Sequence, residues 1–147
     1  FDFLYSFFHP GFNLRATDLQ AYIGLSQIDK LDNFADKRRY NFQYYWENIN
    51  NTMLNLDNSL TNFVSNFAYP VVSKNRNQIV DKLIRSGVET RPLIAGSMAN
   101  KPFWKGRSDN MPNSELIDKF GFYVPNNQDL EKKDMEKICS IINEEST

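Results

Sequence analysis

The sequence predicts a small layered domain of the α/β or α+β class, with helices on a sheet of about three strands. Apolar residues recur at helical spacing along residues 18–50, and three short strand-like segments follow, separated by further helical segments. A chain of 147 residues with 41% apolar residues is long enough to form one core. A sheet of three strands leaves one face open, so we expect something else to cover that face.

The first element is a long helix predicted from Asp18 to Asn50. Thr17 and Gln20 have the spacing of a capping box, in which the side chain of each residue bonds the backbone of the other. An apolar stripe beyond the cap consists of Leu19, Ile23, Ile28, Leu31, Phe34, Ala35, Phe42, Trp46 and Ile49. A helix of this length must pack against more than one partner.

Turn residues and prolines divide the rest of the chain into shorter elements. Pro70 ends the first strand or marks an edge of the sheet, because proline cannot donate a ladder hydrogen bond. Gly87 has the position of a helix C-cap, and Pro92 ends the second strand. In order, the predicted elements are strand 63–72, helix 78–86, strand 88–91, helix 113–120, strand 122–124 and helix 130–143.

Charge and composition exclude several classes of function. A formal net charge of −1 without a clustered basic face argues against nucleic acid binding. No apolar run approaches the ~20 residues of a membrane span. A single cysteine, Cys139, and a single histidine, His9, exclude an internal disulfide and a cysteine or multi-histidine metal site. Cys139 lies in an apolar helical pattern and is predicted to be a buried structural thiol, and the chain is expected to be cytoplasmic.

Two segments combine turn residues with polar side chains that have no evident local structural role. Asn13 and Arg15 lie two residues apart before a helix N-terminus, where both could bind one anion. The alternative is a turn capped by Asn13, with Arg15 paired to a surface acid. Arg91 stands at a strand end and could clamp a carboxylate or phosphate, the alternative being a pair with Glu89 or Glu115. The sequence shows no nucleophile–base pair, so spacing alone assigns no catalytic residue.

Residues 10–42, PGFNLRATDLQAYIGLSQIDKLDNFADKRRYNF, resemble a segment of the DegT/DnrJ/EryC1/StrS sugar aminotransferase family. The family segment reads roughly G-[YF]-N-x-[RK]-x-[ST]-[DE]-[LM]-Q-A-A-I-G-L-x-Q-L-x-K-L and continues to R-R. GVETRPLIAG, MPNSELIDKFGFYVPNN and a final helix extend the resemblance over essentially the whole chain. Tyr22 departs from the family's usual Ala and could alter dimer packing.

The resemblance implies a pyridoxal-phosphate enzyme with the aspartate aminotransferase fold, acting on keto sugars attached to a nucleotide. The chain would be its C-terminal small domain, with a mostly antiparallel sheet. Most members of the family transfer an amino group from glutamate. A smaller branch removes the 3-hydroxyl of a 4-keto-6-deoxyhexose, and FLYSFFHPGFNLRATDLQA and ETRPLIAGSMANKPFW resemble that branch more closely. An alternative of another class is a non-catalytic dimerisation or regulatory module that keeps this fold.

The resemblance also implies how the chain is divided. Residues 1–17 would be an active-site loop exchanged between the subunits of a homodimer, 18–50 a connecting and interface helix, and 51–147 the small domain. The family's large cofactor-binding domain, with its Schiff-base lysine or, in one dehydratase group, a histidine, is expected to be absent from this chain. No catalytic residue is therefore assigned, and the chain alone is predicted to be inactive.

Four residues receive roles from the resemblance. Asn13 matches the family Asn that reaches across the dimer to the phosphate of the neighbour's cofactor. Arg15 follows in the same strip and is expected near that phosphate or the sugar nucleotide. Arg91 matches a family Arg placed toward the substrate. His9 lies in the same interface loop as Asn13 and is a further substrate-side candidate.

Overall fold

The computed structural model describes residues 8, 11, 17–50, 52–54, 63, 65–93, 96–104 and 110–144. In chain order its helices and strands are α1 (Asp18–Leu25), a 3-10 helix (Ile28–Lys30), α2 (Leu31–Asn48), β1 (Ala68–Val72), α3 (Arg76–Arg85), β2 (Arg91–Pro92), two more 3-10 helices (Met98–Asn100 and Pro102–Trp104), α4 (Pro112–Phe120), β3 (Gly121–Pro125) and α5 (Lys132–Glu144). The strands form one antiparallel sheet in the order β1-β3-β2. The predicted combination of helices with a small three-stranded antiparallel sheet is confirmed.

The first helix, α1, begins at the predicted capping box. Thr17 N donates to Gln20 Oε1 at 3.0 Å, and Gln20 N donates to Thr17 Oγ1 at 3.3 Å. No residue of α1 is buried. The large apolar side chains of α1, of the 3-10 helix that follows it and of the first residue of α2 are exposed, namely Leu19, Tyr22, Ile23, Leu25, Ile28 and Leu31. Within the described residues, this apolar surface is therefore left uncovered.

The prediction of one continuous helix over 18–50 is wrong, because a 3-10 helix interrupts it. Ser26 N donates to Ile23 O at 3.1 Å and Gln27 N donates to Gly24 O at 2.9 Å, so these hydrogen bonds span three residues instead of four. The Ser26 hydroxyl also donates to Ile23 O, at 2.7 Å. The side chain thus competes with the backbone for that carbonyl, and Gly24 weakens the helix just before it.

The core lies between one face of the sheet and the helices α2, α3 and α5. In the antiparallel register Tyr69 is opposite Val124, and Val71 is opposite Phe122. These four side chains are buried and share one face of the sheet. They pack with buried residues of the helices and of the α2 C-terminus, namely Tyr45, Ile49, Ile79, Leu83, Met135, Ile138, Cys139, Ile141 and Ile142. The helices therefore cover this one face of the sheet.

Cys139 lies in this core and is buried, as predicted. Burial raises the pKa of its thiol from 9.0 to about 11. A thiol that stays protonated at neutral pH is a poor nucleophile, so Cys139 is a structural residue.

Two strands are shorter than predicted. β1 begins at Ala68 instead of Phe63, and β2 contains only Arg91 and Pro92. In the described sheet β1 is an edge strand, and Pro70 lies within it. The prediction that Pro70 marks an edge is confirmed, because an edge strand tolerates a residue that lacks a backbone N–H.

The late start of β2 follows from the way α3 ends. Gly87, at φ 80°, caps the helix as predicted. Gly87 N donates to Ile84 O and Val88 N donates to Leu83 O, both at 2.9 Å. These are the two hydrogen bonds of a Schellman motif. Val88 is thus part of the cap, so the predicted strand 88–91 cannot begin there.

Buried hydrogen bonds tie α2 to the end of β3. Tyr45 Oη donates to Pro125 O at 3.0 Å, and Asn41 Nδ2 donates to Asn127 O at 2.8 Å. Both side chains are 0% exposed. Their hydrogen bonds therefore satisfy polar groups that solvent does not reach.

Asn126 adds a second connection at the same place. Its Nδ2 donates to Arg38 O in α2 at 3.2 Å and to Asn66 O, just before β1, at 2.8 Å. Asn126 follows directly on β3 and is fully buried. One side chain thus links α2, the approach to β1 and the end of β3. We refer to the set Asn41, Tyr45, Asn126 and Asn127 as the α2–β3 junction.

Replacing Tyr45 by Phe removes one donor of this junction while keeping the ring in the core. We expect Tyr45→Phe to lower the free energy of unfolding by about 1–2 kcal/mol, because the Pro125 carbonyl loses its buried partner. Urea unfolding measures this change. Tyr40→Phe is the matched control, since Tyr40 is 51% exposed, and it should change stability by less than about 0.5 kcal/mol. Equal stability of Tyr45→Phe and the parent would contradict the structural role of this bond.

Candidate functional site

The second face of the sheet, turned away from the core, carries Arg91. In the register of the sheet Arg91 is opposite Tyr123, and Tyr123 is opposite Pro70. Residues directly opposite each other in an antiparallel sheet project from the same face. Tyr123 alternates with the buried residues Phe122 and Val124, so the row of Arg91, Tyr123 and Pro70 lies on the face away from the core.

A groove of about 260 Å³ lies on this face, near the end of β3. Its walls come from the approach to β1, the segment that contains β2, the strand β3 and the turn after it. The lining residues are Phe67, Ala68, Glu89, Arg91, Tyr123, Val124, Pro125, Asn126 and Asn127. Asn126 and Asn127 also belong to the α2–β3 junction, so the junction fixes one wall of the groove.

Arg91 and Glu89 are the charged residues among the described residues that line the groove. Arg91 Nη2 donates to Glu89 Oε1 at 2.8 Å, and Arg91 Nε donates to the same oxygen at 3.0 Å. The two side chains are 62% and 71% exposed. The alternative considered for Arg91, a pair with Glu89, is therefore confirmed. An ion pair so open to solvent contributes only about 0–1 kcal/mol, so a ligand can replace it at small cost.

Two aromatic rings form an apolar part of the groove. The ring centroids of Phe67 and Tyr123 lie 5.6 Å apart, with the ring planes at 52°. Phe67 remains 59% exposed. Aromatic rings beside a guanidinium suit a ligand that has both an apolar portion and an anionic group.

The chain that leaves β2 turns back against α4. Gly96 has φ 59°, in the left-handed region, and its N–H donates to Leu93 O at 2.9 Å. A Cβ at Gly96 would overlap the carboxylate of Asp118 in α4. The next residue, Ser97, is buried. This tight turn determines the direction in which the chain leaves the segment that carries Arg91.

The described residues supply binding groups but no complete catalytic set. No lysine is among the described residues that line the groove, so these residues do not supply the amine with which the aldehyde of pyridoxal phosphate would react. In the described ranges no group of three or more His, Cys, Asp or Glu residues could hold a metal ion. None of the helices in these ranges is long and apolar enough to cross a membrane. Among the described residues of the groove, Arg91 is the group placed to bind an anion.

The remaining predicted site residues, Asn13, Arg15 and His9, lie outside the described residues. The role predicted for Asn13 at a cofactor phosphate across a dimer stays a prediction. The same holds for Arg15 and His9 at the substrate.

Sequence reasoning found part of this groove and missed the rest. It singled out Arg91 and named Glu89 as a possible partner. It did not find Phe67, Tyr123 or Asn126, because only the pairing of the strands brings these residues beside Arg91. The available signal was an aromatic residue in each of two predicted strands, and that pattern fits a core equally well.

Comparison with known proteins matches nearly the whole chain to one family. The model of the DegT/DnrJ/EryC1/StrS aminotransferase family matches residues 3–143. GDP-4-keto-6-deoxy-D-mannose 3-dehydratase of Escherichia coli O55:H7 is 29% identical over 138 residues, which are 87% of this chain and 36% of that protein. GDP-perosamine synthase of Escherichia coli O157:H7 is 28% identical over 141 residues, which are 91% of this chain and 37% of that protein. The chain thus spans little more than a third of the length of these relatives.

A solved structure shows the same fold. The structure of E. coli GDP-4-keto-6-deoxy-D-mannose-3-dehydratase with bound hydrated PLP superposes with a TM-score of 0.69 at 26% identity. The match covers 91% of this chain and 37% of that one. The small three-stranded antiparallel sheet with its helices is therefore a part of a larger known fold.

Gly96 provides a test of the turn after β2. We expect Gly96→Ala to lower the free energy of unfolding by about 1–3 kcal/mol, because Ala is strained at this φ and its Cβ displaces Asp118. Gly24→Ala is the control with the opposite sign, since nothing lies within 4 Å of its Cβ position. In α1 it should raise stability by up to about 1 kcal/mol. Thermal or urea unfolding of both variants measures the difference, and a neutral Gly96→Ala would show that the turn adopts another conformation.

Proposed function

Because the chain belongs to the DegT/DnrJ/EryC1/StrS aminotransferase family, we propose that it is the C-terminal part of a pyridoxal-phosphate enzyme. The substrate of that enzyme is a nucleotide-linked keto-deoxysugar used in surface polysaccharide or deoxysugar biosynthesis. The observation that carries the proposal is the family match over residues 3–143, together with a groove that contains Arg91 on the face of the sheet away from the core. The large domain of the enzyme would supply the cofactor and its lysine or histidine.

Two reactions fit this proposal. An aminotransferase would take the amino group from glutamate and place it on the keto sugar. A dehydratase would remove the 3-hydroxyl of a 4-keto-6-deoxyhexose. Both kinds of enzyme occur among the relatives, and the segment ETRPLIAGSMANKPFW favours the dehydratase.

Arg91 is proposed to hold an anionic group of the substrate. Its guanidinium lies in the groove, it is only weakly held by Glu89, and an aromatic wall adjoins it. A guanidinium forms paired hydrogen bonds with two oxygens of a phosphate or carboxylate, which suits both the nucleotide sugar and glutamate.

The loop before α1 is proposed to act in a second subunit of a homodimer. In this arrangement Asn13 binds the phosphate of the neighbour's cofactor, while Arg15 and His9 lie on the substrate side. The exposed apolar residues of α1 and of the following turn support such an interface, since a surface of this kind commonly marks a contact with another protein or domain. The division into residues 1–17, 18–50 and 51–147 belongs to the same proposal, as does a cytoplasmic location.

The 147-residue chain alone is expected to show no cofactor chemistry. Mixing it with pyridoxal phosphate should give no visible aldimine band, and borohydride should fix no more cofactor than in the urea-unfolded chain. GDP-perosamine synthase of Escherichia coli O157:H7 is the positive control. A band that borohydride fixes at one lysine of the native chain would contradict the assignment of the lysine to another domain.

The full reading frame that contains this chain tests the proposed activity. We expect its product to convert GDP-4-keto-6-deoxymannose in the presence of pyridoxal phosphate and glutamate. Mass spectrometry separates the two reactions, because amino transfer replaces the keto oxygen by an amine and dehydration removes the 3-hydroxyl. Arg91→Ala in that product should lower kcat/KM at least tenfold, whereas Arg85→Ala, at an exposed position in α3, should not. A reading frame without a large domain would favour the non-catalytic dimerisation or regulatory module.

A further inference from the structure

The groove contains a carboxylate, that of Glu89, beside the proposed anion-binding residue Arg91. Glu89 lies two residues before Arg91, and both side chains line the groove. One oxygen of Glu89, Oε1, receives hydrogen bonds from both Nε and Nη2 of Arg91, at 3.0 and 2.8 Å. Glu89 therefore occupies the edge of the guanidinium that a ligand would use.

The geometry of this pair leaves room for a better partner. A guanidinium edge presents two parallel N–H groups, which match two oxygens of one phosphate or carboxylate. Glu89 meets both groups with a single oxygen. Both side chains are more than half exposed, at 62% and 71%, so the pair is weak and water reaches it. An incoming anion can thus take both N–H groups while the Glu89 side chain turns into solvent.

We propose that Glu89 is a specificity-determining residue that acts as an internal competitor at Arg91. It occupies the guanidinium until a ligand offers a two-oxygen anion together with further contacts in the groove. A small anion gains binding free energy only from its contact with Arg91, and it must still displace the Glu89 carboxylate. A ligand that also packs against Phe67 and Tyr123 gains further binding free energy, which is enough to displace the Glu89 carboxylate.

This inference rests on the proposed role of Arg91 and adds a second residue to it. The shared chemistry of the ligand is an anionic group with two oxygens on one centre. Its source could be the phosphates of a nucleotide sugar or a carboxylate of glutamate. Titration with inorganic pyrophosphate and, separately, with L-glutamate distinguishes the two sources, because the one that is used at Arg91 has the lower Kd.

Glu89→Gln tests the competition directly. The amide keeps the size and the acceptor oxygen of Glu89 but removes its charge. NMR titration of the 147-residue chain at constant ionic strength, followed at the Nε–Hε signal of Arg91, gives the Kd of each anion. We expect Glu89→Gln to lower the Kd of the preferred anion by about two- to fivefold, the range that corresponds to loss of an exposed ion pair.

Glu115→Gln is the matched control, because it removes the same charge from an exposed residue of α4 that does not line the groove. Its Kd values should equal those of the parent. An unchanged or higher Kd in Glu89→Gln overturns the proposal, since Glu89 would then be neutral or would orient Arg91 for binding. The absence of saturable binding in both the parent and Glu89→Gln also overturns it.

Arg91→Ala separates this inference from the function on which it rests, and its titrations are followed at the backbone amide signals of the residues that line the groove, because the variant lacks the Arg91 side-chain signal. If Arg91→Ala weakens binding and Glu89→Gln does not strengthen it, Arg91 keeps its proposed role and the competitor role of Glu89 is wrong. If Arg91→Ala binds pyrophosphate and glutamate as tightly as the parent, the proposed role of Arg91 itself fails.

Discussion

The buried side chain of Asn126 is the contact on which the arrangement of this molecule depends most. Its amide nitrogen bonds the Arg38 and Asn66 carbonyls at the point where β3 ends. Because β3 is the central strand and pairs with both β1 and β2, its end is where the sheet must be joined to the helices. Without this donor two carbonyls at the junction would lose a partner, and the wall of the groove would lose one of its hydrogen bonds to α2.

One face of the sheet packs against the core, and the other face carries the groove with its exposed charged pair. Phe122 and Val124 face a core of buried aliphatic and aromatic side chains, while Tyr123 between them faces the groove. The Arg91–Glu89 pair lies on the open side, where both side chains are more than half exposed. Its side chains can exchange partners without disturbing the core, because the two faces share only the backbone of the strands.

The apolar surface of α1 contrasts with this self-contained core. α2, α3 and α5 each contribute buried residues to the core, whereas α1 contributes none. Helical periodicity predicted one stripe along the whole of residues 18–50 and could not distinguish its two halves. The half that follows the 3-10 helix packs on this chain, and the half before it requires a surface that the described residues do not supply.

Local chemistry was sufficient to predict the capping box of Thr17 and Gln20 and the glycine cap of α3, because each depends on residues a few positions apart. The family was recognisable from the sequence for a similar reason, since its motif lies in one continuous segment. The break at Ser26 and the short β2 were not predictable, because each results from competition between alternative hydrogen bonds. Only the tertiary structure placed Arg91 opposite Tyr123 and brought Asn126 to the same groove, since strand register is set by pairing between residues far apart in the chain.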